Sequence, residues 1–272
     1  MNEQEYANEM VWLIDYLAHE QHAALPVGRA QLVDLGVDRL WPLLRGMLNT
    51  RPAGPAASEF YRHQDRLLKA MIAEAGITEA DALLPDPDGP AVSLWRGDIT
   101  TLRADAIVNA ANSALLGCWQ PNHLCIDNAI QTFAGVQMRE ACDQIMQRQG
   151  HAEETGGCKV TRGYNLPATY VLHTVGPIAA GAPTPDQRAQ LACCYTSCLD
   201  EAARLGCTSL AFCSISTGVF GFPIEQAAPI AVDTVLSWMN AHPQARIHVI
   251  FDVYSTADET VYRRVLDARL HR

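Results

Sequence analysis

This 272-residue chain lacks a basic surface field, a long apolar run and any internal repeat. With 30 acidic against 20 basic residues the formal net charge is -10, so no general field draws a polyanion onto the surface. Nucleic acid is therefore not an expected partner. A phosphate-bearing ligand has to be held locally, by backbone N–H groups and helix N-termini. The opening segment, MNEQEYANEMVWLIDYLAHEQ, starts with acids and is repeatedly interrupted by polar residues, which excludes an export signal or membrane span there. The nine cysteines make a poor disulfide framework, being odd in number and scattered, with Cys193 and Cys194 adjacent. A reducing cytoplasm is the expected setting, and it keeps thiols available as thiolates.

What is present is 49% hydrophobic residues, enough for a sizeable core in one large domain or in one domain with an appendage. Residues 6–20, 29–49 and 58–75 carry apolar positions at three- and four-residue spacing and predict helices, with no strand pattern among the first ninety residues. Pro85-Asp-Pro-Asp-Gly-Pro90 is a stiff connector, so residues 1–89 are expected to form a small helical N-terminal unit and residues 90–272 a second domain. From residue 91 short apolar runs predict buried strands at 91–95, 106–110, 170–174, 209–213 and 247–251. Helical patterns at 128–149, 186–205, 225–240 and 257–270 follow or separate them, Pro229 weakening the third. Such alternation implies a three-layer α/β sandwich on a largely parallel sheet, with ligands beyond the carboxyl ends of the strands.

The loops in that position carry the chemistry. Cys118-Trp-Gln-Pro-Asn-His123-Leu-Cys125 places two thiols and an imidazole within eight positions, the ligand types that zinc takes. A catalytic zinc keeps a position open and a structural one is closed by a fourth residue, for which Cys142, His151 or Cys158 are the candidates. Two free cysteines and a solvent-facing histidine are the alternative. Asp127 opens the predicted helix at 128, where it can cap the helix, orient water or a metal-bound group, or do both. Asn112 lies on the loop entering this segment, where its amide can fix a ribose hydroxyl. Ser216-Thr217-Gly218-Val219-Phe220-Gly221 joins a strand to a helix, and its glycines let successive N–H groups approach a pyrophosphate, although glycine also serves turn geometry alone. Gly97-Asp98-Ile99-Thr100 is either an ordinary turn or a carboxylate and N–H suited to adenine. Tyr254 can stack on a flat ring or pack at the sheet edge, and His173, on an apolar strand, is expected to be a core residue.

Together Gly97-Asp-Ile-Thr100, Val108-Asn-Ala-Ala-Asn-Ser113, His173-Thr-Val-Gly-Pro177 and Ile215-Ser-Thr-Gly-Val-Phe-Gly-Phe-Pro223 stand in an order that resembles the macrodomain family of ADP-ribose binding modules and hydrolases. The run from Gly117 to Asp127 is similar to that of its zinc-dependent branch, as is the helical extension. The resemblance implies a three-layer α/β/α macrodomain with a mixed, largely parallel sheet. It also implies a zinc-dependent mono-ADP-ribosyl hydrolase acting on a modified protein side chain, an Asp or Glu ester. Cys118, His123 and Cys125 would hold one zinc ion and Asn112 the distal ribose, with Asp127 acting on the nucleophile or the metal. Asp98 and Ile99 would meet adenine, and Ser216, Thr217, Gly218, Val219, Phe220 and Gly221 the diphosphate. Two departures stand out: Phe220 replaces a frequent tyrosine and Gln131 a frequent histidine. A lipoyl-carrier protein modified by a sirtuin is the implied partner; a non-catalytic reader and an O-acetyl-ADP-ribose deacetylase are the rival functions.

Overall fold

The computed structural model describes residues 1–25, 28–32, 34–83, 85, 89–179 and 181–270. Four helices come first: α1 (Glu3–Glu20), α2 (Arg29–Leu32), α3 (Val37–Thr50) and α4 (Ser58–Ala75). A capping box starts α1, Asn2 Oδ1 accepting from the Glu5 N–H at 2.9 Å while Glu5 Oε2 accepts from the Asn2 N–H at 2.8 Å. Their apolar faces meet in one cluster that includes Met10, Leu13, Ile14, Leu17, Leu40, Leu44, Phe60 and Leu67. Full burial of each such side chain contributes about 1.5–3 kcal/mol. The helix predicted at 29–49 is broken ahead of Gly36, which caps α3 with extended backbone and so stops the apolar periodicity from running through.

The strands and remaining helices follow as β1 (Thr78–Glu79), β2 (Val92–Arg96), β3 (Leu102–Arg103), β4 (Ala106–Ala111), α5 (Ile126–Ala134), α6 (Val136–Gln149), β5 (Cys158–Arg162), β6 (Tyr170–Val175), α7 (Pro185–Arg204), β7 (Ser209–Phe212), α8 (Ile224–Ala241), β8 (His248–Val253) and α9 (Thr256–Leu270). Six strands make one sheet in the order β2-β8-β7-β4-β6-β5, all neighbours parallel except β5 against β6. Helices α7, α8 and α9 pack in succession on one side, and α5 and α6 with α3 and α4 on the other. This is a mixed, mostly parallel α/β fold with a helical N-terminal region, as expected. Strand β4 lies in the middle and is buried along nearly its whole length, which explains a run as uniformly apolar as Ala106-Ile-Val.

Several expectations are corrected. Strand β5 was not foreseen, because an antiparallel edge strand of mostly half-buried residues carries no clean alternation. The two-residue pair β1–β3 was also missed, β1 falling among the first ninety residues where no strand was expected. The predicted helix at 128–149 is two helices, parted at Gly135 with φ 96°, where a Cβ would come within 2.5 Å of Gln64 Nε2. Pro229 does not delay α8, which runs through it from Ile224. Residues 86–88 of the predicted connector lie outside the described residues. On either side of it the two cores touch: Ile72 of α4 and Ala80 join the sheet-side cluster, and Val136 of α6 joins the helical one.

Candidate active site

Parallel strands deliver their carboxyl ends to one edge, and β4 delivers Asn109 and then Asn112. Asn109 is fully buried; its amide donates to Asp127 Oδ1 at 2.8 Å and meets His173 Nδ1 at 3.1 Å. The Asn112 amide donates to the Gly117 carbonyl at 3.0 Å and to Asp127 Oδ2 at 3.4 Å. Asp127 is thus gripped by two amides. Burial raises its carboxyl to about 6, opposed by the Asn109 hydrogen bond and the Arg139 guanidinium. His173 is a core residue, as expected: Thr161 Oγ1 lies 2.8 Å from its Nε2, and burial lowers it to about 4, so it stays neutral.

Asp127 does not cap α5. It occupies the second helical position with its side chain turned to the end of β4, and the cap is Cys125, whose sulfur accepts from the Asn128 N–H at 3.4 Å. The same loop brings the three predicted ligand residues together: Cys118, His123 and Cys125, all half-buried, have ligand atoms within 4.8 Å of one another. Cys118 Sγ lies 3.5 Å from His123 Nδ1. Two ligands at Zn–S and Zn–N lengths on a tetrahedron stand about 3.6 Å apart, so the donor set fits that ion. Burial pushes the Cys125 thiol up to about 11, against the Asn128 N–H, with Cys118 adding to the rise. A divalent cation reverses that balance, because a coordinated thiol loses its proton outright.

Neighbours hold this loop rather than its own regular structure. Asn128, fully buried, donates to the carbonyls of Gln120 at 3.1 Å and Cys118 at 3.5 Å. Arg139 lies 4.6 Å over the Trp119 ring and donates to the carbonyls of Leu48 and Arg51, at 3.1 and 2.6 Å. Gly117, at φ 78°, has no room for a Cβ, which would lie 2.9 Å from Gln131. Cys142, the buried candidate for a fourth ligand, faces His173 Nε2 at 3.8 Å instead.

The second loop follows β7. Ser216 is buried in the left-handed region at φ 66°, with an Oγ that has no hydrogen-bond partner. Its turn closes on itself, the Phe222 N–H donating to Ser216 O and the Gly221 N–H to Gly218 O, each at 3.0 Å. The segment after β6 seals one side: the Ala179 N–H donates to Phe220 O at 2.8 Å, and a Cβ on Gly176 would lie 2.0 Å from Ser216 Oγ. Thr217 donates to Ser214 O at 3.0 Å, and Gly218 and Val219 are exposed.

Beyond β2, Asp98 is exposed and caps a short turn, its Oδ1 accepting from the Thr100 N–H at 2.9 Å; Ile99 buries its side chain, leaving only its backbone for a ligand. Tyr254 follows β8 with 85% of its surface exposed, so edge packing does not explain it. Asn109, Asn128, Arg139 and Asp252 were not singled out from sequence. The signal for Asp252 was an acid inside Ile250-Phe-Asp-Val253: it is buried, Oδ1 has no partner, and burial together with nearby Asp98 holds its carboxyl well above the usual range.

Residues 108–231 match the Macro domain family. The chain is 48% identical over 258 residues to a protein-ADP-ribose hydrolase of Treponema medium, covering 94% of this chain and 97% of that protein. It is 42% identical over 255 residues to a protein-ADP-ribose hydrolase of Staphylococcus aureus (strain MSSA476), covering 93% of this chain and 95% of that protein. Among solved structures, the Trypanosoma brucei macrodomain in complex with ADP-ribose superposes with a TM-score of 0.62 at 30% identity, over 82% of this chain and 94% of that one. The Oceanobacillus iheyensis macrodomain with ADP gives 0.61 at 33% identity, over 68% and 94%. Among the described residues no helix is long and apolar enough to cross a membrane.

Proposed function

Because this chain belongs to the macrodomain family, we propose that it is a zinc-dependent mono-ADP-ribosyl hydrolase that removes ADP-ribose from a modified protein side chain, an Asp or Glu ester. The observation that carries the proposal is the convergence of Cys118, His123 and Cys125 directly beside the Asn112–Asp127 pair. Relatives named as protein-ADP-ribose hydrolases, matched over nearly their full length, support the hydrolytic activity. Zinc, when bound, supplies Lewis acidity, polarising an oxygen of the ribose or ester and lowering the pKa of water toward ~7.

The chain's own residues do the rest. Asn112 orients the distal ribose, and Asp127, fixed by two amides, orients the attacking group. Backbone N–H groups of the Ser216–Gly221 turn, other than those of Thr217 and Gly221, which bond to Ser214 O and Gly218 O, receive the diphosphate, in keeping with a net charge that leaves no basic face for it. Asp98 accepts from the adenine amine, the Ile99 N–H serves a ring nitrogen, and Tyr254 stacks on the base. Phe220 keeps the loop's contact with Ala179 through its carbonyl but offers no hydroxyl to the ligand. Residues 1–89 act as a helical unit set against the catalytic domain of residues 90–272.

A single-turnover assay on an ADP-ribosylated protein, with and without chelator, tests this. The expected result is release of ADP-ribose that chelation stops and zinc restores. Binding in both conditions without release identifies a reader, and faster cleavage of O-acetyl-ADP-ribose than of the protein identifies a deacetylase.

A further inference from the structure

One face of α3 is shaped to the metal loop. Its residues at 42, 45, 46 and 49 follow helical spacing and all meet that loop. The Pro42 carbonyl accepts from Asn122 Nδ2 at 3.0 Å, and Asn49 Oδ1 accepts from the Asn122 N–H at 3.0 Å. Gly46 lets the helix come close, since a Cβ there would sit 3.4 Å from Asn122 Nδ2. Asn122 itself is held at φ 57°, a conformation that asparagine tolerates, one position before the ligand His123. Between these contacts Arg45 reaches the loop's centre. Its Nη2 donates to the His123 carbonyl at 3.1 Å and to Asn128 Oδ1 at 2.8 Å, and Asn128 in turn holds the Cys118 carbonyl and donates its N–H to the Cys125 sulfur.

We propose that α3 of the N-terminal unit is the outer shell of the metal site and that Arg45 is its positioning residue. Arg45 fixes the backbone of His123 and anchors Asn128, which holds the Cys118 carbonyl with its amide and the Cys125 sulfur with its N–H, so a cation stands at the centre of the loop that carries both thiols. Two thiolates cancel the charge of a divalent ion, and this guanidinium offsets the repulsion between them that opposes loading. Outer-shell partners of metal ligands are known to govern affinity as well as geometry.

The inference rests on the zinc assignment above, and one set of measurements separates the two. Full-length wild type, Arg45→Met, Arg45→Gln and Arg45→Lys are titrated with zinc against a chromophoric chelator, and each is melted with and without zinc. Removing the charge is expected to weaken zinc binding about 10- to 100-fold and lower kcat with little change in KM. The zinc-induced rise in Tm should shrink, and Arg45→Lys should recover most of the affinity. Arg45→Gln keeps an amide donor for the His123 carbonyl and carries the test should the methionine variant not fold. Wild-type zinc affinity in the neutral variants, or an equal loss of Tm with and without zinc, overturns the proposal. A wild type that binds no zinc overturns the metal assignment instead.

Discussion

The loop from Asn112 to Cys125 and the loop from Ser216 to Phe222 leave the same edge of one sheet, yet they are built by opposite means. The second is tied by its own backbone, with Phe222 bonded to Ser216 and Gly221 to Gly218, and is sealed by Gly176 and Ala179 from the segment after β6. The first makes few such bonds and is held by side chains from elsewhere: Asn128 and Arg139 from the helices that follow it, Arg45 and Asn49 from α3. Under the proposed function the self-contained cradle meets the diphosphate, whereas a cation site needs donors aimed from several directions, and the N-terminal helices would supply part of that aim. The two halves should therefore fail separately.

The largest expected effect is on the borrowed half. Cys118→Ala removes one ligand; losing a metal's Lewis acidity costs several kcal/mol, so turnover should fall on the order of 10³-fold. ADP-ribose affinity by calorimetry should stay within a few-fold, and an equal collapse of both would break the contrast between the loops. Acid should act on the same half through His173, which lies beneath Asn109 and Asp127. The folded protein keeps His173 neutral down to about pH 4, whereas the unfolded chain binds that proton below about 6.5. Unfolded protein therefore takes up this proton first, so the stability His173 contributes above pH 6.5 is lost as pH falls toward 4, by about 3 kcal/mol, while the Asp127 carboxyl, raised to about 6, works in the opposite sense over the same window. Urea denaturation of wild type and a His173→Gln variant across that range isolates the His173 share, the variant being expected to gain on wild type as pH falls.

On the self-contained half, Gly176→Ala drives a methyl into Ser216 Oγ and should cost about 2 kcal/mol of ADP-ribose affinity, roughly 30-fold, while leaving zinc binding unchanged. The smallest effect sharpens the link to the extension. Asn49→Ala removes a buried side chain that donates to Thr132 Oγ1 at 2.9 Å and accepts from the Asn122 N–H, and should cost about 1 kcal/mol of stability by calorimetry. It should also weaken zinc binding without altering ADP-ribose affinity.

These contrasts also show what was legible in the sequence. Apolar runs marked the five parallel strands to within a residue or two: the four inner ones are buried along nearly their whole length, and β2, a half-buried edge, still carries Val92, Leu94 and Trp95. The other edge strand, β5, escaped because Lys159 and Arg162 interrupt its apolar residues. The Cys118, His123, Cys125 trio was readable because its members are close in sequence, so a local loop must bring them near each other. Asn128, Arg139 and Arg45 were not, since their importance depends on helices packing across more than seventy residues of chain in the case of Arg45. Of the two roles open to Asp127 from its position beside the helix, cap or orienting group, the cap does not form: the tertiary pull of Asn109 and Asn112 outweighs it and leaves the cap to Cys125.

The central claim is tested most directly by measuring metal content and single-turnover cleavage on the same sample of purified protein, stripped and then titrated with zinc. Release of ADP-ribose should rise in proportion to occupancy and level off near about one zinc per chain, with Asn112 and Asp127 unaltered. Full-rate release from metal-free protein would contradict the account.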